Sequence, residues 1–286
     1  MGYLHIDNLY KDQTIMIFKE CYALEKIHGT SAHIRWDSEE KAIGFFSGGE
    51  KHNNFVAIFD NHELEGKFSE AFPTTNAVIY GEAYGGKQQG MSDTYGKELK
   101  FIAFDVKVDK LWLDVENASR LCASFGIEFV DFVKVSTDIE SINAERDRPS
   151  AQAVRNGCGD KPREGIVLRP LIEFTKNNGN RIIAKHKSDN FRETKTPRKV
   201  NPETMQVIAN AKAIAEEWVT EMRLTHVLDK LPSDIGMENV KEVIQAMTED
   251  VFREGKGEIV ESREAAKFIG SKTAQMFKKR LESVLK

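Results

Sequence analysis

The hydrophobic pattern of the chain changes near residue 200, and that change limits the folds open to it. Downstream of it, apolar residues recur every three or four positions, which is typical of amphipathic helices. Upstream, short apolar or alternating runs predict β-strands at residues 32–36, 42–46, 77–80, 101–106, 165–169 and 181–185. We therefore predict an α+β domain at residues 1–198 and a small all-α domain at residues 199–286.

Turn residues and one helical pattern organise the first domain. A polar turn at residues 37–41 joins the first two strands into a predicted hairpin, and Asn177-Asn178-Gly179 predicts another hairpin between the last two. The glycine-rich residues 85–96 predict a long loop, and residues 115–125 predict a helix.

The second domain is predicted to contain three helices. Residues 196–200 resemble a linker, and Asn201 is predicted to cap a long helix that extends to Met222. Proline and glycine at Pro232 and Gly236 separate it from a second helix. A third begins near Ser262, with a predicted break at Gly270.

Composition excludes several classes of protein. The chain has 286 residues, is 40% hydrophobic and 30% charged, and therefore has enough apolar residues for a large core. It contains no run of about 18 apolar residues, so we expect no membrane span. Its three cysteines show no Cys-x-x-Cys spacing, which argues against disulfides and zinc and favours a reducing, cytoplasmic location.

Two basic stretches stand out in a chain whose formal net charge is −4. Residues 181–199 and residues 263–286 each contain seven lysines and arginines against two acidic residues. Such stretches indicate either a surface for a polyanion or two solvated faces.

The segment Lys26-Ile27-His28-Gly29-Thr30 is the main candidate for chemistry. It follows an apolar run, so it predicts a strand, then an exposed lysine, then a turn. We expect Gly29 to adopt a positive φ or to let a ligand approach the main chain. Taken alone, this pattern also fits an ordinary surface turn.

Later segments supply partners for that lysine. Glu82 and Glu164 stand beside glycines at strand ends, and Phe104 precedes Asp105 in an apolar run. Lys185 and Lys187 are two residues apart, which places them on one face of a strand. Separately, each has a plain structural explanation: a core phenylalanine, a strand-end carboxylate, a basic sheet edge.

Their order along the chain resembles that of the nucleotidyltransferase superfamily, which includes polynucleotide ligases and mRNA capping enzymes. Within it, the lysine motif and the helical tail are most similar to the bacteriophage RNA ligase 2 family. The resemblance implies an ATP-grasp-like ligase domain of antiparallel sheets with flanking helices. The resemblance covers residues 20–195. In the tail, the similarity is limited to its helical character.

The resemblance also implies a role for each motif residue. Lys26, His28, Lys185 and Lys187 would be catalytic, with Lys26 carrying AMP and cations around it favouring its neutral amine. Glu82 and Glu164 would bind the ribose and Mg²⁺. The expected ATP contacts are Glu25, Lys26, Ile27, Glu82, Phe104, Glu164, Lys185 and Lys187, with Phe104 stacked on adenine.

Substrate contacts are where this chain departs from the family. The family has an arginine about 20 residues after the lysine, whereas this chain has Phe46 there. It also has Ser31 for an asparagine and Arg169 for a lysine. The expected RNA contacts are Arg35, Ser47, Asp105 and Arg169.

The sequence therefore predicts an ATP- and Mg²⁺-dependent RNA ligase, with Mn²⁺ able to replace Mg²⁺. Its partner would be RNA with 3′-hydroxyl and 5′-phosphate ends, it would bind no membrane, and it would be a monomer. A DNA ligase or an mRNA guanylyltransferase is an alternative within the superfamily. A non-catalytic RNA-binding module is an alternative of another class.

Overall fold

The computed structural model describes residues 2–176, 179–191, 202–232, 235–256 and 258–284, without the side chains of residues 202–205 and 283–284. The predicted linker at residues 196–200 and the predicted cap Asn201 lie outside the described residues. The chain divides into two compact units, Met1–Arg198 and Lys199–Lys286.

The first unit is built on two antiparallel sheets. Its strands are β1 (Glu20–Lys26), β2 (Thr30–Asp37), β3 (Ala42–Ser47), β4 (Ala77–Tyr84), β5 (Lys100–Val108), β6 (Leu111–Trp112), β7 (Phe132–Ser136), β8 (Gly165–Pro170) and β9 (Ala184–Lys187). One sheet has the order β7-β1-β8-β9 and the other the order β3-β2-β4-β5-β6. The predicted hairpin of β2 and β3 is confirmed. Strands β8 and β9 also pair antiparallel, but a connection longer than predicted joins Pro170 to Ala184. The predicted turn residues Asn177 and Asn178 lie outside the described residues.

Short helices flank the sheets. They are α1 (His52–Val56), α2 (Asn61–Ala71), α3 (Ser92–Tyr95), α4 (Val115–Ser124), α5 (Ile139–Arg146) and α6 (Ala151–Arg155). The predicted helix at residues 115–125 is confirmed as α4. The sequence prediction missed α1, α2, α5 and α6, and it placed α3 within a long loop. Aspartates cap two of the missed helices: the Asp60 side chain accepts from the Glu63 N–H at the start of α2, and Asp138 accepts from the Ser141 N–H at the start of α5.

The two faces of the five-stranded sheet have different roles. On β2, Ala32, Ile34 and Trp36 are buried in the core, where Trp36 stacks on Phe68 of α2 at 5.9 Å between ring centroids. Side chains alternate along a strand. The residues between them therefore lie on the opposite face, which borders the site described below.

The second unit is helical, as predicted, but its helix boundaries differ. Its helices are α7 (Pro202–Trp218), α8 (Glu221–Leu228), α9 (Val240–Glu254) and α10 (Arg263–Val284). The prediction of one helix through Met222 is wrong, because the Thr220 side chain accepts from the Arg223 N–H and starts α8.

The predicted break at Gly270 is also wrong, since α10 is continuous through it. A Cβ at Gly270 would lie 3.0 Å from Ile244 of α9. Glycine at this position therefore lets α9 and α10 pack closely.

Within the part of the chain that the structure describes, no helix combines the length and apolar character needed to cross a bilayer.

Candidate active site

Strand register brings the predicted lysines and glutamate together. Lys26, the last residue of β1, pairs with Gly165 of β8, and Gly165 pairs with Lys187 of β9. Residues paired across antiparallel strands lie only about 5 Å apart. Glu164 directly precedes Gly165, so three strands deliver two lysines and a carboxylate to one place.

Glu164 is the centre of this cluster, and its side chain is only 1% exposed. One of its oxygens lies 3.0 Å from Lys26 Nζ and 3.2 Å from His28 Nδ1. The other lies 3.1 Å from Lys187 Nζ. A single buried carboxylate thus orients three of the four residues predicted to be catalytic.

These partners keep Glu164 ionised. Burial alone would raise its pKa, but hydrogen bonds from His28 and Lys26 and the charge of Lys187 outweigh burial and lower the pKa to about 2. At neutral pH, Glu164 therefore carries a full negative charge among cationic groups.

Glu82 is the second carboxylate beside Lys26, and its environment has the opposite effect. Burial is the main cause that raises the pKa of Glu82 to about 7; the charge of Lys26 opposes this shift, and the charge of Glu164 adds to it. An oxygen of Glu82 accepts a hydrogen bond from the Gly29 N–H at 3.2 Å. The site therefore contains one fixed charge and one carboxyl that titrates near neutral pH.

Gly29 is needed for space and not for its backbone angles. Its φ is not positive, so the expected left-handed turn is absent. A Cβ at Gly29 would lie 2.3 Å from the Ala83 carbonyl oxygen and 2.9 Å from Glu82 Cγ. The lysine turn therefore packs directly on β4.

A cleft of about 190 Å³ opens beside Lys26 between the two sheets. Lys26, Ile27, Glu82 and Phe104, four of the residues predicted to contact the nucleotide, border it. The remaining lining includes Tyr3, Leu4, Ile6, Leu24, Glu25, Ser31, Val167, Arg169 and Ile183. The arrangement offers an aromatic wall at Phe104 and a charged mouth at Lys26.

The sequence prediction missed the N-terminal segment of the cleft. Tyr3 packs edge-on against Phe104 at 4.8 Å, and its hydroxyl donates to Asp105 at 2.6 Å. Main-chain hydrogen bonds from Lys185 N to Asp7 O and from Leu9 N to Lys185 O attach the segment to β9. A tyrosine in a polar segment carries no pattern that could have signalled this.

Lys185 lies on β9 two residues before Lys187, and its main chain holds this N-terminal segment. Its predicted catalytic role stays a prediction.

The structure corrects the prediction that Asp105 contacts substrate. Asp105 is fully buried, with one oxygen 3.0 Å from Arg169 and the other 2.5 Å from Arg181. Arg169 borders the cleft, but its guanidinium is committed to Asp105, Glu173 and the carbonyls of Phe104 and Leu113. These charges hold the cleft wall together and leave neither group free to bind RNA.

The predicted RNA contact of Ser47 is wrong. Ser47 pairs with Ala32 on the core side of the sheet and donates to the Glu50 carbonyl at 2.8 Å, so it faces away from the cleft.

Glu25 borders the cleft, and its carboxylate accepts from Ser150 Oγ at 2.5 Å and from Gln152 N at 3.2 Å. Its predicted nucleotide contact stays a prediction.

Arg35 is exposed on the same face of β2 as Ser31, but it lies outside the cleft lining. Its predicted RNA contact stays a prediction.

The residues present fit a metal ion that is held jointly by the protein and the substrate phosphates better than a metal site made of protein ligands alone. Among the described residues, no three His, Cys, Asp or Glu side chains are arranged to hold a metal. Glu82 and Glu164 are the two carboxylates at Lys26, and the oxygens of Glu164 already contact Lys26, His28 and Lys187. A Mg²⁺ ion commonly takes one or two carboxylates plus substrate phosphates. This donor set fits that mode.

Comparisons with known proteins agree with this geometry. The family model described as RNA ligase matches residues 19–187, which contain every motif of the site. A search of curated protein sequences found no match.

Solved structures share the fold. An RNA ligase from Naegleria gruberi with PPi is 17% identical, with a TM-score of 0.50, and the match covers 67% of this chain and 57% of that chain. A variant of that enzyme with AMP and Mn is 16% identical, with a TM-score of 0.51 and the same coverage. The chain thus spans little more than half the length of the solved structures that it matches.

Proposed function

The chain belongs to the RNA ligase family, and from this premise we propose that it is an ATP-dependent RNA ligase working through a lysyl-AMP on Lys26. The observation that carries the proposal is the contact of Lys26, His28 and Lys187 with the buried Glu164 at the mouth of the cleft. An amine beside an aromatic wall and two carboxylates suits nucleotide transfer.

The first step would load the enzyme. Lys26 Nζ, in its neutral form, attacks the α-phosphorus of ATP; an N–P bond forms, the bond to the β-phosphate breaks, pyrophosphate leaves, and the nitrogen releases one proton to solvent. Phe104 would stack on adenine, and Lys187 would neutralise charge that develops on the phosphate oxygens. Glu164 keeps both lysines in place before and after the transfer.

Two further transfers would seal the RNA. An oxygen of the RNA 5′-phosphate attacks the phosphorus of the lysyl-AMP, the N–P bond breaks, and the Lys26 amine is restored. The RNA 3′-hydroxyl then attacks the 5′-phosphate, loses its proton, and displaces AMP as the phosphodiester forms. Lys185 and His28 are the remaining candidates for these steps, and RNA nick repair is the proposed use.

ATP and a divalent cation are the proposed cofactors. Structures of the Naegleria gruberi RNA ligase contain ATP and Mn, AMP and Mn, or PPi. For this chain, Glu82 and Glu164 would hold Mg²⁺ or Mn²⁺ jointly with the phosphates. The metal would supply charge neutralisation during transfer.

Covalent labelling tests the proposal directly. The protein is incubated with Mg²⁺ and ATP labelled at the α-phosphate, and retained label is measured after denaturation. We expect the wild type to retain AMP and Lys26→Ala to retain none. Lys110→Ala is the matched control, because Lys110 is exposed in the turn after β5.

Equal labelling of the wild type and Lys26→Ala would contradict the proposal. So would a wild type that binds RNA but never retains AMP with either metal, which is the result expected of a non-catalytic RNA-binding module. Labelling with GTP in place of ATP would favour a guanylyltransferase. Sealing of DNA but not RNA 3′-hydroxyl ends would favour a DNA ligase.

The helical unit is proposed to hold substrate phosphates through the basic residues of α10. Two of them also serve packing: Lys272 binds Glu216, and Arg280 donates to Thr225. RNA as partner, a monomeric state and a cytoplasmic location are part of the same proposal.

A further inference from the structure

A row of aromatic side chains crosses the five-stranded sheet on the face that borders the cleft. Phe46, His33 and Tyr80 are paired directly across β3, β2 and β4, and we call these three residues the aromatic shelf. Phe46 and His33 are stacked, with centroids 4.9 Å apart and planes 20° apart. His33 and Tyr80 are tilted by 54°, with centroids 5.5 Å apart, so the three rings form one row of neighbouring contacts.

The shelf is continuous with the candidate active site. Ser31 lies two residues before His33 on the same face of β2, pairs with Glu82 and borders the cleft. Two residues of a strand span roughly 6–7 Å. A nucleotide next to the one in the cleft would therefore reach the shelf.

The outer end of the shelf is accessible and carries a positive charge. Phe46 is 37% exposed, whereas most large apolar side chains in this unit are buried. Arg35 pairs with Gly44, where a Cβ would lie only 2.9 Å from Arg35 Nε. The absence of a side chain at Gly44 leaves room for the Arg35 side chain to lie over β3, on the same face as Phe46.

Polar atoms near the shelf are left without partners. Ser31 Oγ and His33 Nδ1 have no hydrogen-bond partner among the described residues. Burial, followed by the charge of nearby cations, lowers the pKa of His33 to about 4, so the ring is neutral at pH 7. A neutral imidazole suits stacking, and the free polar atoms suit a ligand that can hydrogen-bond.

We propose that the aromatic shelf binds a nucleobase of the RNA strand at the joint, with the base stacked on Phe46 and an adjacent phosphate paired with Arg35. An exposed aromatic ring flanked by a cation is the usual arrangement for binding single-stranded nucleic acid, because every base has a π-face. The inference rests on the proposed function and deepens it, since it says how the RNA substrate is held.

Binding of single-stranded RNA without ATP tests the shelf separately from catalysis. The probe is an RNA with a fluorophore at one end. Its other end, a 5′-phosphate or a 3′-hydroxyl, is the one tested and is left unlabelled. Fluorescence anisotropy measures the affinity of the wild type, Phe46→Ala and Phe46→Trp for this RNA. We expect Phe46→Ala to bind roughly tenfold more weakly, within the usual range for loss of one stacked base, and Phe46→Trp to bind like the wild type. Leu111→Ala is the control, because Leu111 is an apolar side chain with 73% exposure.

An RNA that lacks one base gives a test on the wild-type protein. The base is removed from the terminal nucleotide or from the one next to it, at the 5′ end or at the 3′ end. At one of these positions, the loss of the base should weaken binding to the wild type by the same factor as Phe46→Ala weakens binding to intact RNA. On that RNA, Phe46→Ala should cause no further loss. Arg35→Ala should instead weaken binding to all RNAs and reduce the slope of log affinity against log salt by about 1.

Two results would overturn the inference: wild-type affinity that does not depend on any terminal base, or an equal effect of Phe46→Ala on intact and base-lacking RNA. These measurements need no AMP transfer. Failure of the labelling experiment would therefore contradict the proposed function but not the proposal that the aromatic shelf binds a nucleobase. Normal AMP labelling together with RNA binding that does not depend on any terminal base would contradict the shelf proposal alone.

Discussion

Replacing Glu164 with glutamine removes the charge that holds Lys26, His28 and Lys187 together, and the structure predicts the cost. The fall in pKa of Glu164 from its ordinary value of 4.5 to about 2 corresponds to about 3 kcal/mol of folding free energy at pH 7. The value is plausible for a side chain that is 1% exposed, since removing one partner from a buried ion pair costs about 3–5 kcal/mol.

The stability difference between wild type and Glu164→Gln should depend on pH. Because the folded-state pKa is depressed, the stabilisation is complete above pH 4.5 and is lost as pH falls toward 2. The difference in unfolding free energy between wild type and Glu164→Gln should therefore shrink from about 3 kcal/mol at pH 7 to about 2 kcal/mol at pH 3.5.

Urea unfolding of both proteins from pH 3.5 to pH 8 measures this difference. Glu39→Gln is the control, because it removes the same charge from an exposed turn and should change stability by less than about 0.5 kcal/mol. A Glu164→Gln protein as stable as the wild type at pH 7 would refute the reasoning. A difference that stays constant with pH would show that it arises from packing.

Other perturbations test neighbouring features. The unfolding free energy of Glu82→Gln, relative to that of the wild type, should rise by roughly 2–3 kcal/mol between pH 5 and pH 8, because the raised pKa of about 7 makes the ionised carboxylate costly as pH rises; thermal unfolding measures this rise. Gly29→Ala should destabilise by about 1–3 kcal/mol in urea because its Cβ meets Ala83, whereas Gly66→Ala in α2 has open space and should stabilise by about 0.5–1 kcal/mol. A chain ending at residue 198 should still retain labelled AMP but lose RNA sealing, and sealing at the full rate would exclude a substrate role for α10.

Local sequence patterns were sufficient for most strands of the first unit but missed β6 and β7. Alternation and polar turns depend on short-range chemistry, so the β2–β3 hairpin could be predicted. The residues around Glu164 could be predicted because their order along the chain resembles a known family. The order of strands in the two sheets depends on contacts between distant segments and does not follow from local patterns.

The errors have identifiable physical causes. Ser47 was assigned to the site, but one step along a strand reverses the face, and only the pairing with Ala32 fixes it. Asp105 was assigned to substrate because a sequence cannot show that Arg169 and Arg181 neutralise it in the core. Helix α1 has a single buried residue, Phe55, and such a short apolar pattern is too weak to detect.

The attachment of the N-terminal segment has a consequence for folding kinetics. Tyr3 bonds to Asp105 and Arg181, which lie 102 and 178 positions further along the chain. Contacts of such long sequence separation close large loops, so they form late and slow the overall rate. Because this segment forms one wall of the cleft, an intermediate with both sheets formed would still lack a complete nucleotide site. The capacity to bind ATP should therefore appear in the last kinetic phase of refolding.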